Sequence, residues 1–256
     1  MNHRLLTGSA ALVLALLLGG CAAVSSADPS PSPADGELTG EVTVFAAASL
    51  SPVFDEIAAA FTAEHPAVDV APIVYDGSSV LVTQLAEGAH ADVLATADER
   101  TMQTLIDTGL ADAPEPFATN TLVVALPAGN PAGITSLADL ADATTVLCAP
   151  EVPCGAASQT LLDAAGVSVT AASLEQNVSA VLQKIVAGEA DAGLVYATDV
   201  VGEDVESFAP EGSDEVVNRY PIVALDGATD AGRAFTEFVR GPVGRRILAD
   251  HGFGAP

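Results

Sequence analysis

Tryptophan is absent, tyrosine occurs three times, and aromatic residues make up only 4% of the 256-residue chain. So few flat rings exclude a cleft that works by stacking sugars or nucleobases. Basic residues are equally scarce, with eight Lys and Arg against 34 Asp and Glu and a formal charge of −26. That balance removes the attraction on which general nucleic-acid or anionic-membrane binding rests, so no nucleic-acid partner is expected. Several catalytic fingerprints are missing too. No Gly-x-Ser-x-Gly elbow surrounds Ser49, Ser78 or Ser79, and no His-Glu-x-x-His pair, P-loop or Gly-x-Gly-x-x-Gly turn occurs. His65, His90 and His251 fall in surface-like helix ends or turns, so no general base is identifiable. No repeat of 20 to 50 residues is present, which excludes the solenoids.

What the chain has is apolar bulk: hydrophobics at 50% suffice for one large domain or two modest ones. Residues 1–20 have the layout of a secretory signal, with Arg4 ahead of an apolar run from Ala10 to Leu18 that is too short to span a bilayer comfortably. Leu18-Gly19-Gly20-Cys21 is similar to a bacterial lipobox, which implies cleavage before Cys21 and a lipid on its sulfur; the plainer alternative is a cut near Ala23. Either removes Arg4 and no acid, leaving seven basic residues against 34 acidic ones, or −27. Residues 21–40 are then a small, polar, Pro-rich tether reaching roughly 60 Å at about 3.3 Å per residue. The expected product is an exported, monomeric protein held by lipid to the extracytoplasmic face of the cell membrane.

From Glu41 on, short β-type runs alternate with helical patterns, which predicts an α/β body with parallel sheets covered by helices. The strand candidates are 41–47, 68–74, 91–97, 121–127, 144–150, 192–198 and 220–225. Val53, Phe54, Ile57 and Phe61 share one helical face, as do Val178, Val181, Leu182, Ile185 and Val186. In open α/β sheets ligands collect at the carboxyl ends of strands, and four such junctions here are rich in donors: Ser49 to Pro52, Tyr75 to Ser79, Val152 to Gly155 and Glu175 to Asn177. Ser51 and Asn177 are expected as helix N-caps. Free N–H groups and the positive end of the helix dipole make each helix start an anion site in principle, although plain capping accounts for any one of them.

Taken together, VFAAASL (44–50), a Gly-Ser-Ser turn after the second strand, ADVLATAD (91–98), VPCG (152–155), LVYATD (194–199), YPIVAL (220–225) and GPVGRRILADHGF (241–253) resemble the periplasmic molybdate/tungstate-binding proteins of ABC transporters. The resemblance spans Glu41 to Phe253. It implies a two-lobed periplasmic-binding-protein fold of type II, with lobe 1 at 41–121 plus 223–256, lobe 2 at 122–222, and crossovers near Thr121 and near Tyr220 to Val223. It also implies that an ABC permease receives a molybdate or tungstate ion, with no cofactor. Carried over by position, Ser49 and Ser78 would each give a hydroxyl and a backbone N–H, Cys154 and Val178 backbone N–H groups, and Tyr196 its phenol. Such a site suits an acidic chain, because oriented local dipoles hold the dianion without an arginine. A site made of donors also favours fully ionised oxyanions, since a proton on the ligand needs an acceptor.

Three details remain. Asp76 either bends its own turn or accepts a proton from the ligand. Cys148 and Cys154 close a short loop for which export favours a disulfide, and Lys184, nearly two turns beyond Val178, is expected to face solvent. The alternatives are a sulfate binder, a ferric-ion binder or, further off, a secreted hydrolase; Tyr75, Tyr196 and Tyr220 are well separated in sequence, so a paired-tyrosine iron site has no obvious source.

Overall fold

The computed structural model describes residues 37–256; the export signal, Cys21 and the tether through Gly36 lie outside the described residues. The strands are β1 (Gly40–Val42), β2 (Val44–Ala47), β3 (Val68–Val70), β4 (Val74–Asp76), β5 (Val93–Ala95) and β6 (Glu115–Asn120). They continue with β7 (Leu122–Pro127), β8 (Thr145–Cys148), β9 (Ser173–Glu175), β10 (Ala192–Tyr196), β11 (Val205–Phe208) and β12 (Asn218–Ala224). The helices are α1 (Ser51–Glu64), α2 (Ser78–Ala86), α3 (Glu99–Asp107), α4 (Pro153–Ala165), α5 (Val178–Val186), α6 (Asp230–Arg240) and α7 (Pro242–Asp250).

Two five-stranded sheets organise these elements, one in the order β4-β2-β5-β12-β6 and the other β11-β7-β10-β8-β9, while β1 and β3 form a small pair of their own. The alternating pattern predicts parallel sheets, and both sheets are instead mixed. β2 is parallel to β4 and β5, but β12 is antiparallel to β5 and β6. In the second sheet β10 is parallel to β8 and antiparallel to β7. The physical reason lies in the connections. A parallel neighbour requires a crossover within the same sheet, whereas the chain leaves the first sheet on β6, enters the second at once on β7, and comes back on β12, so the outgoing and returning strands run opposite ways.

The return crossing also falls earlier than the expected Tyr220 to Val223. β12 is paired in the first sheet from Asn218 onward, so the crossing occupies the segment between Phe208 and Asn218. At the other end of the body, Leu38 already packs on the core and β1 opens at Gly40, slightly ahead of Glu41.

Helix α1 forms where Val53, Phe54, Ile57 and Phe61 recur on one face, and all four are buried. Phe61 meets Phe235 and Phe238 of α6 edge to face, each at 5.3 Å. Ser51 is not its cap: a 3-10 turn at Ala48–Leu50 runs straight into the helix, and no side chain caps it. Asn177 does cap α5, its amide oxygen accepting the Ala180 N–H at 2.9 Å. On α5, Val178, Val181 and Ile185 are buried, while Val186 is 48% exposed because this ninth residue of the helix falls off the buried face. Phe253 is buried against Tyr220, tying the C-terminus to the first sheet.

Candidate functional site

Where the two sheets face each other, a small cavity is lined by Ala48, Ser49, Asp76, Gly77, Ser78, Ala97, Val152, Pro153, Cys154, Asn177, Val178 and Tyr196. All five residues singled out from the sequence, Ser49, Ser78, Cys154, Val178 and Tyr196, lie on its wall. Ser49 follows β2, Ser78 opens α2 after β4, Cys154 lies in the first turn of α4 after β8, Val178 opens α5, and Tyr196 ends β10. The N–H groups of the first helical turn have no partner inside their helices and sit at the positive end of the dipole. Asn177 spends its amide oxygen on Ala180, which leaves the Val178 N–H uncommitted to the cap.

Each hydroxyl on the wall is held from behind. Ser49 Oγ is 3.0 Å from Tyr220 Oη, the Ala97 N–H donates to Ser78 Oγ at 3.0 Å, and Asn218 Nδ2 donates to Tyr196 Oη at 3.0 Å. Burial, together with the neighbouring Tyr220 phenol and the Asp199 carboxylate, pushes the Tyr196 phenol well above its ordinary value. It therefore stays protonated and able to donate. Asp199 accepts the Tyr196 N–H at 2.8 Å, and its carboxyl is pushed up to about 7 by loss of water.

The expected separation of the tyrosines does not hold in space. Tyr196 and Tyr220 stack edge to face with ring centroids 5.9 Å apart, because β12 returns to the first sheet beside the end of β10. Tyr75 is elsewhere, bonded to Asp55 Oδ1 at 2.8 Å. Each hydroxyl of the pair is bonded to a neutral group, and burial raises both phenols, which keeps them protonated.

Asp76 is the one charged residue on the wall. Its Oδ1 accepts the Gly77 N–H at 2.7 Å and the Asn177 side-chain amide at 2.9 Å. It thus braces its own turn and also links the first sheet to the cap of α5. Two more contacts cross at the same rim, from Ser79 Oγ (2.6 Å) and Arg100 Nη2 (3.1 Å) to the Glu151 carbonyl. Glu151 lies in the loop closed by the Cys148–Cys154 disulfide, whose Cα atoms are 5.7 Å apart. Gly77 packs so tightly that a Cβ there would stand 2.0 Å from the Gln176 carbonyl oxygen. Lys184 does not simply face solvent. It pairs with Glu175 and bonds to Ser173, and together with Ser173 it holds the Glu175 carboxyl below its ordinary range.

Chemically, the wall offers neutral donors from both sheets to a small anion. No basic side chain and no histidine lines it, and His251 is instead paired with Glu56 at 2.8 Å near the surface. The residues missed from sequence are Ala97, Asn218 and Tyr220 behind the hydroxyls, and Arg100 and Glu151 at the rim. Only Ala97 carried a signal, as the last residue of the 91–97 run, just beyond the end of β5.

A family model described as bacterial extracellular solute-binding protein matches residues 42–254. Molybdate-binding protein ModA of Mycobacterium tuberculosis is 42% identical over 258 positions, covering 97% of this chain and 98% of the relative. The Escherichia coli protein of that name is 30% identical, covering 84% and 89%. Among solved structures, the Azotobacter vinelandii periplasmic molybdate-binding protein matches with a TM-score of 0.71 at 18% identity, covering 84% of this chain and 99% of that one. The sulfate-binding protein SubI from M. tuberculosis matches at 0.68 and 19%, covering 84% and 86%. These two likenesses show a shared two-lobed fold.

Proposed function

The chain belongs to the bacterial extracellular solute-binding proteins, and from that membership we propose that it captures molybdate, or its tungsten analogue, between its two lobes and delivers it to an ABC permease. One observation supports the proposal: five residues able to offer neutral donors, drawn from both sheets, line a single cavity that has no basic side chain on its wall. A dianion there is stabilised by N–H and O–H dipoles fixed before it arrives, and its departure leaves no unpaired basic side chain behind. The 42% identity to a protein named for molybdate binding supports that ion over other oxyanions.

Contacts that cross between lobes at the rim favour the state in which both sets of donors reach the ligand together. The oxyanion is cargo, and the protein works without a resident cofactor and as a binding protein rather than an enzyme. The leader and Gly19-Gly20-Cys21 support export and a lipid at Cys21 that keeps the body close to its permease. Mass spectrometry of the mature N-terminus tests the anchor, with a diacylated Cys21 expected and an unmodified N-terminus near Ala23 contradicting it.

Calorimetric titration of the protein with molybdate, tungstate, sulfate, phosphate and ferric citrate tests the ligand. Binding of one molybdate or tungstate per chain, far tighter than sulfate, is expected. Preference for sulfate would keep the anion site and overturn the ion, and binding of ferric citrate alone would overturn both.

A further inference from the structure

We propose that Asp76 holds the affinity of the cavity below what its donors alone would give, so that the bound ion can leave: its carboxylate helps to join the two lobes and at the same time repels the dianion they enclose. The inference rests on the oxyanion site described above and adds a residue that governs release. Asp76 ends β4, directly ahead of the turn that opens α2; it is half-buried and lines the cavity.

Its charge is not cancelled by its neighbours. The two groups bonded to Oδ1, the Gly77 N–H at 2.7 Å and the Asn177 side-chain amide at 2.9 Å, are neutral dipoles. Among the described residues no ion pair includes Asp76. Arg100, the guanidinium at the rim, is engaged by Asp98 at 3.6 Å and by the Glu151 carbonyl at 3.1 Å. A carboxylate shares its charge between both oxygens, so it acts on an ion in the cavity whichever oxygen is nearer. Across a small, partly desolvated space that repulsion is far stronger than in water.

What the same charge contributes is closure. Asn177 belongs to the second lobe, and its amide is divided: Oδ1 accepts the Ala180 N–H and caps α5, while Nδ2 donates to Asp76. A carboxylate can only accept, so it admits just the orientation of Asn177 that leaves the oxygen for α5. The contact is charge-assisted, which makes it stronger than a bond between neutral groups. The lobes are therefore drawn together by the group that opposes their cargo, a balance suited to a carrier that has to give the ion up.

The test compares wild type with Asp76→Asn, which keeps an oxygen for Gly77 and Asn177 and removes the charge. The probes are molybdate, by calorimetric titration, and perrhenate, a tetrahedral monoanion, by competition. Molybdate is expected to bind the variant at least about tenfold more tightly. One charge out of a formal −26 hardly alters the long-range field, so stopped flow should place the gain in slower dissociation, with association nearly unchanged. Because the repulsion scales with ligand charge, perrhenate should gain only about the square root of the factor that molybdate gains. Unchanged or weaker molybdate binding would make Asp76 a brace only, and an equal gain for both ions would make it a neutral contact; either overturns the inference. Asp76→Ser, also uncharged and able to accept, is the second variant should the asparagine form not fold, and the same tightening is expected of it. If wild type binds neither ion, the oxyanion site itself is wrong and the inference goes with it; if wild type binds molybdate and neither variant tightens it, only the role of Asp76 is lost.

Discussion

The phenolic oxygen of Tyr196 touches both the cavity and its support, so removing that one atom has two separable effects. Tyr196→Phe takes away a donor to a charged ligand, worth about 1.5–3 kcal/mol, and leaves one Asn218 hydrogen unpaired. Molybdate affinity measured by calorimetry should fall by about ten- to a hundredfold, with a modest drop in unfolding temperature; unchanged affinity would remove Tyr196 from the site. Asp199, behind the same residue, makes stability depend on pH. Its folded value of about 7 stands above the ordinary 3.8, so between those limits the unfolded chain releases a proton that the folded chain retains. The stability contributed by this group is therefore full below about pH 4, falls as pH rises, and is gone above about 7. Asp199→Asn keeps an oxygen for the Tyr196 N–H and should unfold at the wild-type temperature at pH 4 but above it at pH 8. At this scale the wall was legible in the sequence and its support was not. Ser49, Ser78, Cys154, Val178 and Tyr196 sit at strand ends and helix starts, positions with local signatures. The partners behind them lie 171 residues away for Ser49–Tyr220 and 22 for Tyr196–Asn218, and no local pattern marks such pairs.

Among the elements, helix starts do the positioning, and the turn ahead of α2 is the tightest of them. Gly77 has φ −59° and ψ 133°, a conformation open to any residue, so its lack of a side chain answers to space and not to the backbone. The space is taken by the Gln176 carbonyl, which belongs to the opposite lobe. Gly77→Ala should therefore hinder the approach of the lobes more than the folding of either. We expect oxyanion affinity at least about tenfold weaker, with the ligand-free unfolding temperature changed by less than about 2 °C, and a large fall in that temperature would contradict this division. The disulfide acts on the same rim, since closing a seven-residue ring from Cys148 to Cys154 restricts the unfolded chain by about 2 kcal/mol and holds the Glu151 carbonyl for Ser79 and Arg100. Apolar runs revealed most strands, but β6, β9 and β11 escaped. Ser173–Glu175 is three residues with polar ends, Val205–Phe208 has two polar residues in four, and Glu115–Asn120 opens on Glu-Pro, so none carries the unbroken run of β-branched and aromatic residues that marks a strand.

Across the whole molecule, the acidic surface and the neutral cavity pull in opposite directions on a dianion. A chain of −26 repels the ligand at distances beyond the reach of the cavity dipoles. Salt screens that repulsion while leaving the buried contacts nearly untouched, so the association rate measured by stopped flow should rise with ionic strength and the dissociation rate should stay almost constant. A rate that falls with salt would require a cationic entry path that the cavity wall does not have. Two lobes were foreseeable from the family resemblance, whereas the antiparallel strands were not. Strand direction leaves no trace in hydrophobic periodicity, and only the out-and-back path on β6 and β12 explains it. The most direct test of the central claim is a crystal structure of the protein grown with molybdate, with the metal located by its anomalous scattering. We expect one molybdenum per chain, its four oxygens within hydrogen-bond distance of the Ser49 and Ser78 hydroxyls, the Cys154 and Val178 N–H groups and the Tyr196 phenol. Molybdenum bound elsewhere, or oxygens met by basic side chains, would contradict it.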